Sequence, residues 1–233
     1  SGDLDFLEVT LAPVLAGVAD PLLQLTEPDT NLLVPDSSIW ERHWEQCFPN
    51  GRKHFTYSNI MAVAGLRSIA RLSNDYRYDE AADVIRSGLL NMETGPAFEV
   101  QLKGQACPAL ASAPEEICDF CGPWDGSVIE AINLGVIRPD SALARGTLFG
   151  LMSNLSMGAS PGFLRNDDGA GTTNPYPWYD DQEWVVIDLR MAAAMAQVAG
   201  AMEEQTLRNN AFTVVGWITH LAGNNANLIP ELL

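Results

Sequence analysis

Apolar residues recur every three to four positions through most of this chain, and strict alternation is nearly absent. That period is the signature of helices with one buried face. It places helices over 4–24, 57–72, 78–92, 125–135, 139–155, 181–200 and 203–222, about seven in all. Pro13 inside the first predicts a kink, or a break into two short helices. Ser58 stands where an N-cap belongs, Pro139-Asp140 is a start signal, and Gly135 and Gly200 are stop signals. The helix over 78–92 opens with acids, as a helix N-terminus prefers. Only "AFEVQL" (97–102) alternates like a strand, and it is short. Long irregular stretches at 25–50, 93–124 and 156–180 separate helices that look antiparallel and paired. Loops of that length in a compact helical domain are more often functional than idle. The expectation is an all-α chain, with 1–233 read as one domain.

The chain has 233 residues, is 47% hydrophobic and carries a formal charge of -17. A charge so negative argues against nucleic acid or an anionic membrane as partner and fits a neutral substrate. No uninterrupted apolar run reaches the ~18 residues of a spanning helix. The opening "SGDLDFLEV" lacks an initiating Met and a basic segment followed by an apolar one, which reads as a processed or excised segment. Cys107, Cys118 and Cys121 lie close together in an irregular segment, and Cys47 is the fourth. In a secreted protein such a set staples a loop with disulfides; the rival reading is zinc held through Cys118 and Cys121. The sequon at Asn154 agrees with secretion and glycosylation.

"DSSIWERHW" sets Glu41 directly after Trp40 in a turn-rich stretch. Rings beside a carboxylate suit a sugar site, where aromatic faces stack on pyranoses and a carboxyl moves a proton. The plainer alternatives stand beside that reading. Glu41 next to Arg42 is also a solvated loop pair, and Glu231 after Pro230 also suits a helix's first turn. "RNDDGAGTTNPYPW" clusters calcium-type oxygens but lacks EF-hand spacing. His43, His54 and His220 show no metal-ligand spacing; His54 is expected to support the loop and His220 to lie on a helix face.

Four motifs in order carry a resemblance: "LVPDSSIWERHW…RKHFTYSNIMAVAGLRSIARL", "WDGSVIEAINLGVIRPDS", "PGFLRNDDGAGTTNPYPWYDDQEWVVIDLRMA" and "NLIPELL". Together they resemble glycoside hydrolase family 15, the glucoamylases and their bacterial relatives, over about residues 30–233. The resemblance implies an (α/α)6 toroid, of which about seven helices would supply only part. It implies Glu41 as general acid, Glu231 as general base, and Trp40, Arg165, Asp167 or Asp168, and Trp178 as sugar-binding residues. Inverting hydrolysis needs one protonated carboxyl on the glycosidic oxygen and one carboxylate activating water across the ring, roughly 6.5–9.5 Å away. No cofactor is implied. The activity implied is an exo-acting α-glucoside hydrolase on oligosaccharides or polysaccharides, completed by a complementary polypeptide packed on helices 4–24 and 181–222. A non-catalytic carbohydrate-binding or regulatory relative is the alternative.

Overall fold

The computed structural model describes residues 3–37, 39, 54–91, 97–98, 124–166 and 182–231. Among these, regular structure is helical and no strand occurs; isolated bridges join Thr26 to Leu33, Asp125 to Asn166 and Ser156 to Phe163. The start of "AFEVQL" is non-helical at 97–98, and the rest of it lies outside the described residues.

The first helix, α1 (Leu4–Val14), is capped by Asp3, whose Oδ1 accepts the Phe6 N–H at 2.8 Å. Pro13 lies one residue before the end of α1, and the helical run continues past it in a different form. The run widens into a π-helical turn over Leu15–Ala19 and continues as α2 (Asp20–Gln24). Proline removes one ladder donor, and a wide turn beside it is a known way to absorb that loss.

α3 (Thr56–Ser73) ends at Asn74, which takes the left-handed conformation at φ 55°. Ser58 is not its N-cap, because the helix starts earlier; the Ser58 hydroxyl instead donates to Asp36 Oδ1 at 2.9 Å. α4 (Tyr76–Asn91) begins where Asp75 Oδ1 accepts the Arg77 N–H at 3.0 Å. A 3-10 turn (Gly126–Ile129), capped by Asp125 on the Ser127 N–H at 2.8 Å, runs into α5 (Glu130–Asn133). Gly135, at φ 67°, closes it as its sequence position implied. α6 (Ala142–Asn154) is capped by Ser141, not by Pro139-Asp140, since Asp140 is taken by Arg138 at 2.9 Å. α7 (Val185–Met202) runs through Gly200 and stops at Glu203, with φ 58°, before α8 (Gln205–Asn224).

Burial sorts these helices into two layers. In α8 the buried residues are Leu207, Ala211, Val214 and Ile218, and in α4 Tyr78, Ala82, Ile85 and Leu89 lead the set. Both follow a 4-3-4 spacing, a single stripe facing one neighbour. α7 buries nine of its 18 residues, including Ile187, Met191, Ala192, Met195 and Val198. That is contact on more than one side, so α7 is an inner helix and α8 its outer mate. α3 is inner to α4 by the same argument, and the 126–133 element packs between α3 and α7. Inner helix, turn, antiparallel outer helix is the repeating unit of an (α/α)6 toroid, and this chain supplies part of one.

Candidate functional site

The starts of the inner helices meet at one end, joined by the segment that follows α6. That segment folds back on itself through Met157 N–H to Gly162 carbonyl (2.9 Å) and Leu164 N–H to Leu155 carbonyl (2.8 Å). It then reaches two helix starts. The Phe163 carbonyl accepts the Trp184 N–H at 3.0 Å, and the Arg165 carbonyl accepts the Gly126 N–H at 2.7 Å. Asn166 forms the bridge to Asp125. A third strand of chain arrives from the far end of the sequence: the Glu231 carbonyl accepts the Val185 N–H at 3.1 Å. α7 has no side-chain N-cap, so this carbonyl satisfies one of its orphan donors. The Glu231 side of the contact is exposed, at a helix end that favours negative charge.

Arg165 lies between these helix starts and is 1% exposed, with its guanidinium carbon 4.6 Å from the centre of the Trp184 ring. A cation over an indole face is held by the ring quadrupole while keeping its in-plane donors for other groups. Beside it, Tyr57 at the start of α3 shares its surroundings with Arg190, Glu130 and Asp125. Burial raises its hydroxyl pKa, Arg190 opposes that, and the two acids add to it. Arg190 Nε pairs with Glu130 at 3.0 Å, so one ion pair links α7 to α5.

Under the same segment is a buried acid pair. Glu183 Oε1 accepts the Trp217 indole N–H at 2.7 Å, and Oε2 accepts the Ser160 hydroxyl. A side-chain carbon at position 162 would overlap the Glu183 carboxyl, so Gly162 lets the backbone close over it. Asp188 Oδ1 accepts the Phe163 N–H at 2.7 Å, and its carboxyl also meets that of Glu183. Burial pushes the Asp188 pKa up to about 8, the hydrogen bond with Glu183 raises it further, the Phe163 N–H works against this, and the Glu183 charge adds to it.

The sequence singled out Arg165 and Glu231, and the structure brings both to this end. Trp40, Glu41, Asp167, Asp168, Trp178, Cys47, Cys107, Cys118 and Cys121 lie outside the described residues, and so does any pairing of Glu41 with Glu231. Asn154 is exposed at the end of α6, its side-chain amide donating to the Gly150 carbonyl at 2.8 Å. His54 supports the loop, lying between the Leu33 carbonyl (2.8 Å) and Glu27 (3.2 Å), and His220 is exposed on α8. No metal-binding cluster occurs among the described residues. Sequence reading missed Glu183, Asp188, Trp184, Trp217, Tyr57, Asp125 and the Glu130–Arg190 pair. One signal was available for Asp188: Val185, Met191 and Ala192, at three or four positions from it, are apolar, which sets a carboxyl on a buried stripe.

No family model matches the chain, and no curated protein matches it by sequence. Among solved structures the chain is similar to a glycosidase in complex with glucose, at 16% identity and a TM-score of 0.62. The match covers 92% of this chain and 47% of the glycosidase, so the chain spans about half the length of that structure. Identity that low speaks to architecture alone: the chain's helical fold is similar to part of that structure.

Proposed function

We propose that the chain is the catalytic-domain segment of an exo-acting, inverting α-glucoside hydrolase that releases glucose from non-reducing ends. The observation that carries this reading is the convergence at α7: Glu231 is bonded to Val185 at 3.1 Å while Arg165 stacks on the adjacent Trp184 at 4.6 Å. Two segments 66 positions apart, at 165 and 231, resemble a sugar-binding arginine and a general base as parts of one ordered set of motifs. Their meeting at one helix start is what a shared sugar pocket requires. The fold likeness to a glucose-bound glycosidase supports it.

In this reading Glu41 protonates the glycosidic oxygen while Glu231 takes a proton from water attacking the anomeric carbon on the opposite face. The departing alcohol carries Glu41's proton, and glucose leaves as the β-anomer. Arg165 orients hydroxyls, with Asp167 or Asp168 beside it, and Trp40 and Trp178 line the pocket. Asp36, five residues before Glu41, is fixed to Ser58 at the start of α3. The tether of Asp36 at the start of α3 supports a reading in which Glu41 acts at the same end as α7. A complementary polypeptide completes the ring by packing on helices 4–24 and 181–222, and the cysteine-bearing loop is stapled by at least one disulfide in a secreted protein.

The half-length match favours one second reading, a non-catalytic carbohydrate-binding relative. Incubating the protein with maltose, isomaltose and trehalose, and following the anomer by proton NMR, separates the two. β-Glucose as first product supports the inverting hydrolase. α-Glucose overturns inversion, and sugar binding without hydrolysis supports the second reading.

A further inference from the structure

We propose that Glu183 and Asp188 act as a proton-sharing pair of positioning residues that locks the 160–166 segment, and with it Arg165, at the candidate sugar site. The role of Arg165 rests on the function proposed above; the pair itself does not. Glu183 is 3% exposed and Asp188 fully buried, on the start of α7. Asp188 Oδ2 is buried and receives no N–H or O–H from any described residue, although Oδ1 has the Phe163 N–H. The group it meets is another carboxyl, whose two oxygens are already occupied by donors from Trp217 and Ser160. Two ionised carboxyls cannot share that space at low cost, so a proton on Asp188 bridges them.

What the bridge holds is specific. Ser160, Gly162 and Phe163 are all bound or closed onto the pair, and Arg165 follows two residues later with its carbonyl on Gly126. The other face of Glu183 holds Trp217 of α8. The pair therefore ties the inner helix, the outer helix and the sugar-site segment at one point. Among the described residues, the charged groups on the elements packed here are Arg165 over Trp184, Arg190 engaged with Glu130, and His220 stacked on Trp217 at 6.2 Å. Loss of the bridging proton would set two carboxylates against each other and loosen the segment that carries Arg165.

The test follows tryptophan fluorescence of the full chain from pH 6 to 10, alongside maltose affinity by calorimetry at pH 7 and pH 9. Asp188→Asn is the informative variant, since an amide accepts from Phe163 and donates to Glu183 as the protonated acid does. The wild type should show a transition near pH 8 and lose maltose affinity roughly tenfold by pH 9. Asp188→Asn should abolish both changes while matching wild-type affinity at pH 7. His220→Gln should leave the transition near pH 8 in place, because that transition belongs to the acid pair and not to the ring stacked on Trp217. Carbon-13 NMR of aspartyl carboxyls gives a measurement that needs no variant: one should titrate far above the usual carboxylate range. A wild type with no such titration, or a transition that persists in Asp188→Asn, overturns the proposal. If the transition is present and abolished by Asp188→Asn but no sugar binds at any pH, the pair stands and the reading of Arg165 falls.

Discussion

Two stretches of this chain, Leu4–Gln24 and Val185–Met202, are long and apolar enough to cross a membrane by length and composition, although charged residues interrupt both. Their surroundings are opposite. The apolar window is 6% buried in the first and 50% buried in the second. α1 buries none of its residues, and Phe6 and Val9 are 65% and 73% exposed. α7 has α8 on one side, the 126–133 element on another and α6 beside it. The N-terminal run touches α3 chiefly through its π-helical turn. Similar composition therefore gives a core helix in one place and an unpartnered one in the other, decided by what the chain brings to lie across it. The polar features of the candidate site follow the same division: they gather at the start of α7.

The sharpest way to break this comparison is chemical. Glu231→Gln keeps the backbone carbonyl that receives the Val185 N–H, so folding should change little. If the start of α7 is the reaction centre, hydrolysis should fall roughly 10²–10⁴-fold, as for loss of a general base. Steady-state assays on maltose read this, with calorimetric sugar binding as the control. Wild-type turnover in Glu231→Gln would remove that residue from the mechanism.

Next in size is packing. Ile187 is fully buried on α7 and meets Gly126 closely enough that a side-chain carbon there would strike it. Ile187→Ala should cost about 2–5 kcal/mol in urea melts, through lost transfer energy and a cavity that rigid neighbours fill poorly. A cost below about 1 kcal/mol would mean that α7 is less firmly packed than its burial implies.

Asp188 sharpens the comparison through pH. Its pKa is raised from the ordinary value of 3.8 to about 8, so between these values the folded state holds a proton that the unfolded state has released. Stability is then greatest at the acid end of that window and falls as pH rises through it, by at most about 1.4 kcal/mol per unit. Urea melts at pH 5, 6, 7 and 8 should show this slope in the wild type and a flatter profile in Asp188→Asn. An unchanged slope in the variant would assign the pH dependence to other groups.

The helices themselves were legible from local pattern, and their layering was not. Leu207, Ala211, Val214 and Ile218 recur at helical spacing, but the Ala- and Val-rich composition of 203–222 suggested packing on several sides where the structure buries one stripe. Gly135 announces a stop by its freedom at positive φ. Boundaries were less legible wherever a polar residue had two uses. Ser58 looked like a cap and is bound to Asp36, while Gly200 looked like a stop and is passed over. The site was legible only as separate segments. Arg165 and Glu231 stood out by resemblance, but the stacking on Trp184 and the bond to Val185 are contacts between distant parts of the chain. Glu183 and Asp188 escaped notice because acids near a helix start usually meet solvent and the helix dipole. Here Gly162, Ser160 and Trp217 close over them, and nothing local to residues 183–188 encodes that cover.

The smallest effect expected is at α1, and its size decides what the exposed helix is for. Val9 points to solvent near the middle of the helix, so Val9→Ala removes little buried surface. Alanine also has the higher helix propensity, by roughly 0.5 kcal/mol, because a β-branched side chain loses rotamer freedom in a helix. In the chain alone the variant should therefore be neutral or slightly stabilised, within about 0.5 kcal/mol, by urea melts. The same substitution in the protein with a complementary polypeptide bound should behave differently if that polypeptide covers α1. Burying a valine contributes about 1.5–3 kcal/mol, and truncation would forfeit part of it as weaker association. A neutral result in both settings would mean that α1 stays uncovered, and would confine the expected interface to α7 and α8. A cost above about 1 kcal/mol in the isolated chain would mean that α1 is packed in solution after all, and the contrast between the two apolar helices would fail.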